Sequence, residues 1–334
     1  MRMKPLVGWI HATAPFMVGS VLLATGAAVA QTYPAKPIRF VSPQPPGGTF
    51  DYAMRVFAER LQPALGQPLV VEHHAGAGTV VGLDYTAKQA PDGYTLVMSS
   101  STHAVLPSVV AKLPFDPVKA FEPISQVASS AFILVVRSDT PVKNVTEYIA
   151  MARARPGSVS FGSSGVGTPL HFAGEMMKAM EKVDMLHVPY KGAAAVIQSV
   201  LSGEITSSFA PATLVLPHIK SGKLRAVGNV GSVRTASMPD LPNIGETVPG
   251  FALDSWFGIM GPAGMPKPIV ERLNTEFNRV ARDPQFAKEK LIPAGIDPGG
   301  STPEKLRETL VGDIAKFAKI VRDAGIKEIG RAHV

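Results

Sequence analysis

The sequence predicts an α/β protein with two lobes, and three observations support this prediction. Short apolar runs typical of buried strands alternate with stretches in which apolar residues recur at helical spacing. Two glycine-rich turns, at 46–49 and 162–169, each lie between such a strand and such a helix. Beyond the N-terminal segment roughly 300 residues remain, which is more than one compact core usually holds.

The first 30 residues have the features of a secretory signal peptide. Arg2 and Lys4 precede an apolar stretch over 16–29, and residues 28–30 form the small-x-small cleavage site Ala-Val-Ala. A membrane anchor is the alternative, but the uninterrupted apolar run is shorter than the ~20 residues that span a bilayer. We therefore predict an exported protein that is cleaved after residue 30 and is soluble.

The C-terminal residues 328–334 resemble the in-frame translation of a sequencing-library adapter. We interpret them as a trace of a gene that was read off the end of a DNA fragment. His333 is accordingly left out of the functional reasoning, and the predicted domains stop at residue 327.

Composition limits the classes of partner and of chemistry. The chain has no cysteine, which excludes disulfides and thiolate metal ligands. Its formal net charge of +7 falls to +5 without Arg2 and Lys4. The other Lys and Arg residues are scattered singly, so we predict no nucleic-acid partner. A small positive excess favours an anionic ligand through weak steering, although solubility explains it equally well.

The first part of the chain contains three strands that each end in a small polar turn. Strands are predicted at 38–41, 69–72 and 94–98, with helices over about 49–65 and 79–89. The edge of an open α/β sheet at which such turns gather is where ligands bind. The three turns are Pro46–Thr49, Gly76–Thr79 and Ser99–Thr102.

The rest of the chain repeats this order. Thr168 is well placed as an N-cap and Pro169 as the first residue of the helix that follows. Gly203 has the features of a helix C-cap. Further strands are predicted at 132–136, 159–161, 224–227 and 256–260, and helices at about 143–155, 169–180, 193–201, 267–282, 284–291 and 303–323.

The two glycine turns offer a way to bind an anion through the backbone. The first N–H groups of a helix have no intrahelical acceptor, and they carry the positive end of the helix dipole. The turns at 46–49 and 162–169 can each direct several of these groups at one point. Two such helix ends that face one another form a carboxylate site, and we predict no catalytic residue, metal or cofactor.

Two motifs point to enzyme chemistry but have the wrong spacing. The run 162–165 resembles a nucleophile elbow, yet a Gly-x-Ser-x-Gly motif centred on Ser164 requires glycine where the chain has Val166. The glycine turn at 76–82 has one residue too many for the dinucleotide fingerprint. Neither motif therefore supports a hydrolase or a nicotinamide-dependent enzyme.

Two charged clusters favour structural roles. His73 and His74 are adjacent, so on a strand they point to opposite faces, and no third ligand group lies at metal-binding spacing. Asp51 and Arg55 are four residues apart on one helical face, which predicts an ion pair. We therefore expect neither pair to form a metal centre or a catalytic centre.

Seven short motifs follow one another along the chain. They are Pro46-Gly47-Gly48 with Asp51 and Arg55, Gly76-Ala77-Gly78, Pro91-Asp92-Gly93-Tyr94, Gly162-Ser163-Ser164-Gly165 with Gly167-Thr168, His187-Val188-Pro189-Tyr190-Lys191-Gly192, Pro217-His218-Ile219 with Gly222-Lys223-Leu224-Arg225-Ala226, and Ser255-Trp256-Phe257-Gly258. None is specific alone. Their common order and spacing make the chain resemble the Bug-type substrate-binding proteins of tripartite tricarboxylate transporters.

The resemblance implies a periplasmic binding protein of the type II-like, two-lobed class, with an α/β sandwich in each lobe and the ligand cleft between them. Lobe 1 is expected to comprise 31–131 and 252–327, and lobe 2 to comprise 132–251. The implied ligand is a small carboxylate: a di- or tricarboxylate, an amino acid or an aromatic acid. The residues expected to hold it are Gly47, Gly48, Thr49, Gly162, Ser163, Ser164, Gly165, Gly167 and Thr168, with Ser100, Ser101, Thr102, His171, Tyr190 and Lys191 as weaker candidates.

Two positions depart from the family pattern. Phe50 and Ala210 stand where many relatives have a small polar and a polar residue, respectively. If both positions line the cleft, they favour a carboxylate with an apolar or aromatic body. The alternative is that Phe50 lies in the core or on the outer face of its helix.

The resemblance further implies a monomeric, non-enzymatic receptor that serves a membrane permease of one large and one small subunit. Two alternatives stay open: a ligand sensor for a membrane histidine kinase, and an exported enzyme that acts on a carboxylic acid or ester. The enzyme would need a base beside a nucleophile, and the sequence shows no such pair.

Overall fold

Two β-sheets organise the chain in a computed structural model, which describes residues 33–323. One sheet has six strands and the other has five. The strands are β1 (Ile38–Ser42), β2 (Leu69–His73), β3 (Thr95–Ser100), β4 (Phe121–Ser130), β5 (Phe132–Arg137), β6 (Val159–Ser163), β7 (Met185–Pro189), β8 (Ser207–Pro211), β9 (Leu224–Asn229), β10 (Trp256–Pro262) and β11 (Ile296–Pro298).

Strand direction brings the predicted turns to one edge of each sheet. The six-stranded sheet has the order β11-β4-β10-β3-β1-β2, and β1 runs parallel to both of its neighbours. The five-stranded sheet has the order β7-β6-β8-β5-β9, and β6 runs parallel to β7 and β8. Because the carboxyl ends of parallel neighbours meet at the same edge, the loops after β1, β2 and β3 lie together, as predicted.

The chain passes between the sheets at two places. β4 belongs to the first sheet and ends at Ser130, whereas β5 belongs to the second and begins at Phe132. The return runs from the end of β9 to the start of β10. The ten-residue strand β4 was not predicted, because its sequence FEPISQVASS is rich in serine and lacks the apolar run of the other strands.

Helices cover both sheets, and most of the predicted ones are confirmed. The helices after β3 and β8 were not predicted, since each is short and carries a proline. The helices are α1 (Thr49–Leu65), α2 (Val80–Ala87), α3 (Ser101–Val109), α4 (Val145–Ala154), α5 (Pro169–Glu181), α6 (Ala193–Ser202), α7 (Ala212–Lys220), α8 (Lys267–Ala281), α9 (Pro284–Phe286) and α10 (Pro303–Asp323).

Helix α1 shows how the sequence determines these elements. Val56, Phe57 and Leu61 recur at helical spacing, and all three are buried against the first sheet. The helix ends at Gly66, whose left-handed conformation (φ 69°) lets its N–H donate to Gln62 O. The preceding loop supplies no capping side chain, which leaves the start of the helix open to other acceptors.

The hydrophobic core continues from one sheet to the other. Its central cluster contains residues of both sheets together with residues of α3, α5 and α10. The rings of Phe172 on α5 and Phe317 on α10 lie 5.6 Å apart, and Trp256 at the start of β10 donates from Nε1 to Asp313 Oδ2 at 2.7 Å. Helix α10 therefore packs against both halves of the molecule.

Two terminal segments that the sequence analysis singled out lie outside the residues that the structure describes. The predicted signal peptide and the adapter-like residues 328–334 both fall beyond residues 33–323. Within the described range, none of the helices combines the length and the apolar character needed to cross a membrane.

Gly295 packs against the backbone at the start of α7, and its substitution should be costly. A Cβ there would lie 2.9 Å from the backbone of Ala212 and Thr213, and the residue has φ +73°. Gly66 has φ +69° with open space around its Cβ position, so it isolates the conformational penalty. We expect Gly295→Ala to reduce the unfolding free energy by about 1–3 kcal/mol more than Gly66→Ala does. Equal losses in urea denaturation would contradict this steric role.

Candidate functional site

The first glycine turn opens α1 as predicted, but its N–H groups are not equivalent. Gly47 has φ +85° and donates its N–H to Asp51 Oδ2 at 3.1 Å. Gly48 is the N-cap, and no side chain caps the helix. No hydrogen bond of the described residues uses the N–H groups of Gly48, Thr49 or Phe50. The open donors of this turn are therefore those after Gly47, whereas the N–H of Gly47 is bonded within the protein.

Asp51 places a negative charge beside these donors, and its neighbours balance that charge. Arg55 Nε lies 2.9 Å from Asp51 Oδ1, which confirms the predicted ion pair, and His73 Nε2 lies 3.1 Å from the same oxygen. Burial raises the pKa of Asp51, but the hydrogen bonds from Arg55 and Gly47 and the nearby positive charges hold it below its usual value. The carboxylate is thus ionised and internally paired.

The second turn begins with a glycine whose role is packing. Gly162 lies inside β6 and is buried, and its carbonyl oxygen accepts a hydrogen bond from Ser208 at 3.1 Å. A Cβ at this position would lie 2.5 Å from Ile205 Cδ1 and 2.7 Å from Val196 Cγ1. Close packing therefore already requires a glycine at this position, whether or not Gly162 also contacts the ligand as predicted.

Beyond Gly162, the loop 163–168 turns two of its own N–H groups onto protein acceptors. Gly165 N donates to Ser163 Oγ at 3.2 Å, and Gly167 N donates to His171 Nδ1 at 3.2 Å. Thr168 is the N-cap of α5, but its hydroxyl donates to Gly165 O rather than accepting from the helix. The N–H groups of Gly165 and Gly167 are therefore bonded within the protein in this structure.

Two stacked histidines lie beneath this loop. The rings of His171 and His187 are 4.1 Å apart, and His187 Nε2 lies 2.6 Å from Ser163 Oγ. Burial, followed by the charges of His187 and Lys178, lowers the pKa of His171 to about 4. Burial and the charge of Lys178 lower the pKa of His187 to about 4. Both imidazoles are neutral at pH 7.

The contact of Ser163 with His187 is the serine–base pair that the sequence did not reveal. It does not form a nucleophilic centre, because Ser163 is fully buried and its hydroxyl is bonded within its own loop. The base and the hydroxyl come from neighbouring strands, β7 and β6, which are 24 residues apart in the chain. Only the pairing of these strands brings them together.

One hydrogen bond joins the starts of two helices from different sheets. Thr49 Oγ1 on α1 lies 2.5 Å from Thr213 Oγ1 on α7. Pro211 precedes α7 and provides no side-chain cap. Thr213 was not a predicted site residue, because its helix was not predicted and the short run Pro211–Thr213 carries no glycine signal.

Phe50 and Ala210 both lie in the core. Phe50 is 4% exposed and packs edge to face on Phe257, with ring centroids 5.0 Å apart. Ala210 is fully buried on β8, opposite Ile133 of β5. The preference for an apolar or aromatic ligand body, which depended on these two side chains lining the cleft, therefore loses its basis.

The weaker candidates differ in what they can contact. Ser100–Thr102 is a helix start rather than a turn: Ser100 caps α3 by accepting from Thr102 N at 3.2 Å, and Ser101 is buried. Lys191 is exposed. Tyr190 donates its backbone N–H to Ser163 O, and its buried hydroxyl has no hydrogen-bond partner among the described residues.

Two sheets joined by paired crossings define a two-lobed protein of the α/β class, and a helix without a side-chain cap follows a strand in each sheet. The family model described as "Tripartite tricarboxylate transporter family receptor" matches residues 53–326, so the chain belongs to that family. Receptors of this family are periplasmic solute-binding proteins and not enzymes.

Individual relatives agree over nearly their whole length. Protein BugT of Bordetella pertussis (strain Tohama I) is 35% identical over 317 residues, which are 93% of this chain and 97% of BugT. The structure of Rpa4515 of R. palustris with adipate has a TM-score of 0.81 and 29% identity and covers 89% of this chain and 100% of its own. MatC from Rhodopseudomonas palustris with bound malate has a TM-score of 0.75 and 26% identity, covering 86% and 100%.

The buried histidines should make stability depend on pH. Burial lowers the pKa of His103, as it does those of His171 and His187, from 6.5 to about 4. The unfolded chain therefore takes up protons first as the pH falls, and the folded state loses stability between pH 6.5 and 4. We expect the melting temperature to fall as the pH is lowered through this window. In His103→Asn the melting temperature should depend less steeply on pH, and above pH 7 the curves of the parent protein and the variant should be parallel. An unchanged slope would contradict a neutral, buried His103.

Proposed function

We propose that this protein captures a small carboxylate between its two lobes through backbone N–H groups and delivers it to a tripartite tricarboxylate-type permease. The observation that carries the proposal is that α1 and α5, on different sheets, both begin without a side-chain cap. The open N–H groups at the start of α1, and those that follow Pro169 in α5, need an acceptor, and a carboxylate supplies about four lone-pair sites for them.

The number of open donors is sufficient for useful affinity. A helix dipole contributes only ~0.3–1 kcal/mol to an exposed anion, whereas micromolar binding needs about 8 kcal/mol. Hydrogen bonds to a charged group contribute ~1.5–3 kcal/mol each, so four or five of them reach that range before the entropic cost of association. The turn after β1 offers three open N–H groups, at Gly48, Thr49 and Phe50, and the loop after β6 supplies the others.

A dicarboxylate is the ligand class that this arrangement favours. Relatives of known structure hold adipate and malate, according to their descriptions, and both molecules carry two carboxylates. Open donors on two lobes suit an acid with a charge at each end. The burial of Phe50 and Ala210 removes the reason to expect an aromatic body.

Closure of the lobes, with 132–251 as one lobe, is the step that makes binding tight. A ligand favours the closed arrangement only because it contacts both lobes there. The hydrogen bond between Thr49 and Thr213 already joins the two helix starts. We infer that these hydroxyls lie at the base of the cleft and that their contact helps to hold the closed form.

Export completes the proposal. We infer that the signal peptide over 1–30 is cleaved, so that the receptor diffuses as a monomer in the periplasm and presents its closed form to a permease of one large and one small subunit. The matching relatives support this assignment through their family.

A thermal-shift screen of the chain from residue 31 onward tests the proposal. The panel would contain aliphatic dicarboxylates such as adipate and malate, amino acids, aromatic acids and uncharged diamides of the same length. At a hundred times its Kd, a ligand stabilises the protein by ~2.7 kcal/mol. We expect a selective shift with one or more dicarboxylates and none with the diamides. Folded protein without any carboxylate response would refute the proposal.

Thr213 should matter for affinity through its hydroxyl. Thr213→Val keeps the shape and removes the bond to Thr49, whereas Thr213→Ser keeps the hydroxyl. A net hydrogen bond is worth ~0.5–1.5 kcal/mol, so we expect Val to weaken dicarboxylate binding by about 2- to 12-fold and Ser to weaken it much less. Calorimetric titration of both variants measures this, and identical affinities would exclude a role for the hydroxyl.

A further inference from the structure

The loop 163–168 rests on a stack of three aromatic rings that the binding function alone does not require. The ring of His171 lies 4.1 Å from that of His187, and the other neighbour of His187 is Phe161, with centroids 5.0 Å apart. His171 is 6% exposed and Phe161 is fully buried. The stack thus extends from the core of the second lobe to the underside of the loop.

The hydrogen bond at His171 fixes which nitrogen carries its proton. Gly167 N–H donates to Nδ1, so that nitrogen has a free lone pair, and the neutral ring carries its hydrogen on Nε2. Nε2 lies 3.8 Å from Glu175 Oε1, one helical turn further along α5. Protonation of the ring would place a second hydrogen on Nδ1 and remove the acceptor from Gly167.

His187 supports the loop through Ser163. Its Nε2 lies 2.6 Å from Ser163 Oγ, which also accepts the N–H of Gly165 at 3.2 Å. The hydroxyl of Ser163 donates its single proton to Gly165 O at 3.0 Å, so its lone pairs accept the N–H of Gly165 and the Nε2–H of His187. The two imidazoles therefore anchor two alternate peptide groups of the loop, at Gly165 and Gly167.

The intervening peptide groups are left open. Among the hydrogen bonds of residues 33–323, none uses the N–H of Ser164 or of Val166. Val166 is 47% exposed, whereas the anchored residues on either side have φ +133° and +78°, values that favour glycine. The loop thus has two anchored amides and two free amides in alternation.

We propose that His171 and His187 are positioning residues that hold the loop 163–168 in its anion-binding shape and make the N–H groups of Ser164 and Val166 the ligand donors of this lobe. This inference rests on the proposed carboxylate function. In this proposal the N–H groups of Gly165 and Gly167, which were expected to bind the ligand, instead hold the loop in shape. Val166, which no sequence motif indicated, becomes a ligand donor.

The surroundings of His171 and His187 keep both imidazoles neutral. The charged and titratable side chains around His171 are His187 on β7 and Glu175 and Lys178 on its own helix, and Lys178 lies 3.1 Å from Glu175. Burial lowers the pKa values of both histidines to about 4, so the acceptor at Nδ1 persists at neutral pH. A protonated His171 would lose that acceptor and could no longer bond the N–H of Gly167, so the loop requires a neutral imidazole.

Amide-resolved NMR of the chain from residue 31 onward, titrated with adipate, tests the donor assignment. We expect the amide protons of Ser164 and Val166 to move downfield by at least twice as much as those of Gly165 and Gly167. Larger shifts at the two glycines would overturn it. Without ligand, amide hydrogen exchange should be at least 10-fold slower at Gly167 than at Val166, and equal rates would contradict the support.

Variants at His171 separate positioning from stability. His171→Asn keeps an acceptor oxygen at the place of Nδ1, and His171→Leu removes it. We expect Leu to weaken adipate binding at least 10-fold and to speed exchange at Gly167, with Asn within about 3-fold of the parent protein in both measurements. The matched control is Tyr148→Phe, which loses a buried 2.7 Å bond to Ser207 in the same lobe and should lower the melting temperature without changing affinity.

The outcomes distinguish the two proposals. If Leu and Asn bind adipate equally well, or lose affinity equally, His171 is not a positioning residue. If the parent protein binds neither adipate nor any other dicarboxylate, the proposed function fails, and the exchange rates at Gly167 in the Leu and Asn variants still decide whether the histidine supports the loop.

Discussion

The structure depends on one constraint of backbone chemistry: a helix that follows a parallel strand begins with N–H groups that have no acceptor within the helix. A side chain often closes such a start, as Ser100 does for α3, which follows β3. In α1 and α5 the N-cap provides no such bond. Such unused donors are tolerable only where solvent or a ligand reaches them.

The glycines around the two turns serve different physical purposes, and sequence alone does not separate them. Gly162 has no Cβ because Ile205 and Val196 occupy that space, whereas Gly47 and Gly167 are in left-handed conformations with their N–H groups bound to Asp51 and His171. Of the glycines expected to hold the ligand, only Gly48 keeps an open N–H. A glycine-rich signature therefore marks the two turns without showing which of their N–H groups are already bonded within the protein.

The elements that the sequence predicted correctly are those that depend on residues close together in the chain. The bounds of α1 and of α10 follow from apolar periodicity and from flanking Gly and Pro residues, and the parallel pairing of β1, β2 and β3 follows from their alternation with helices. Strands β4, β7, β8 and β11 and helices α3 and α7 were missed, because their stability comes from tertiary burial rather than from propensity. The contacts of Ser163 with His187 and of Thr49 with Thr213 join segments 24 and 164 residues apart, which no short window contains.

A backbone site of this kind must be rigid before the ligand arrives, because each donor contributes little and the cost of ordering a flexible loop would consume that contribution. Charged side chains next to the donors would bind the anion more strongly, but they would also compete for it and hold it after delivery. The molecule instead pairs the one carboxylate beside α1 with Arg55 and His73, and supports the loop before α5 with imidazoles that stay neutral. The groups that hold the two turns are therefore uncharged or internally balanced, which is the arrangement that a binding site built from backbone N–H groups requires.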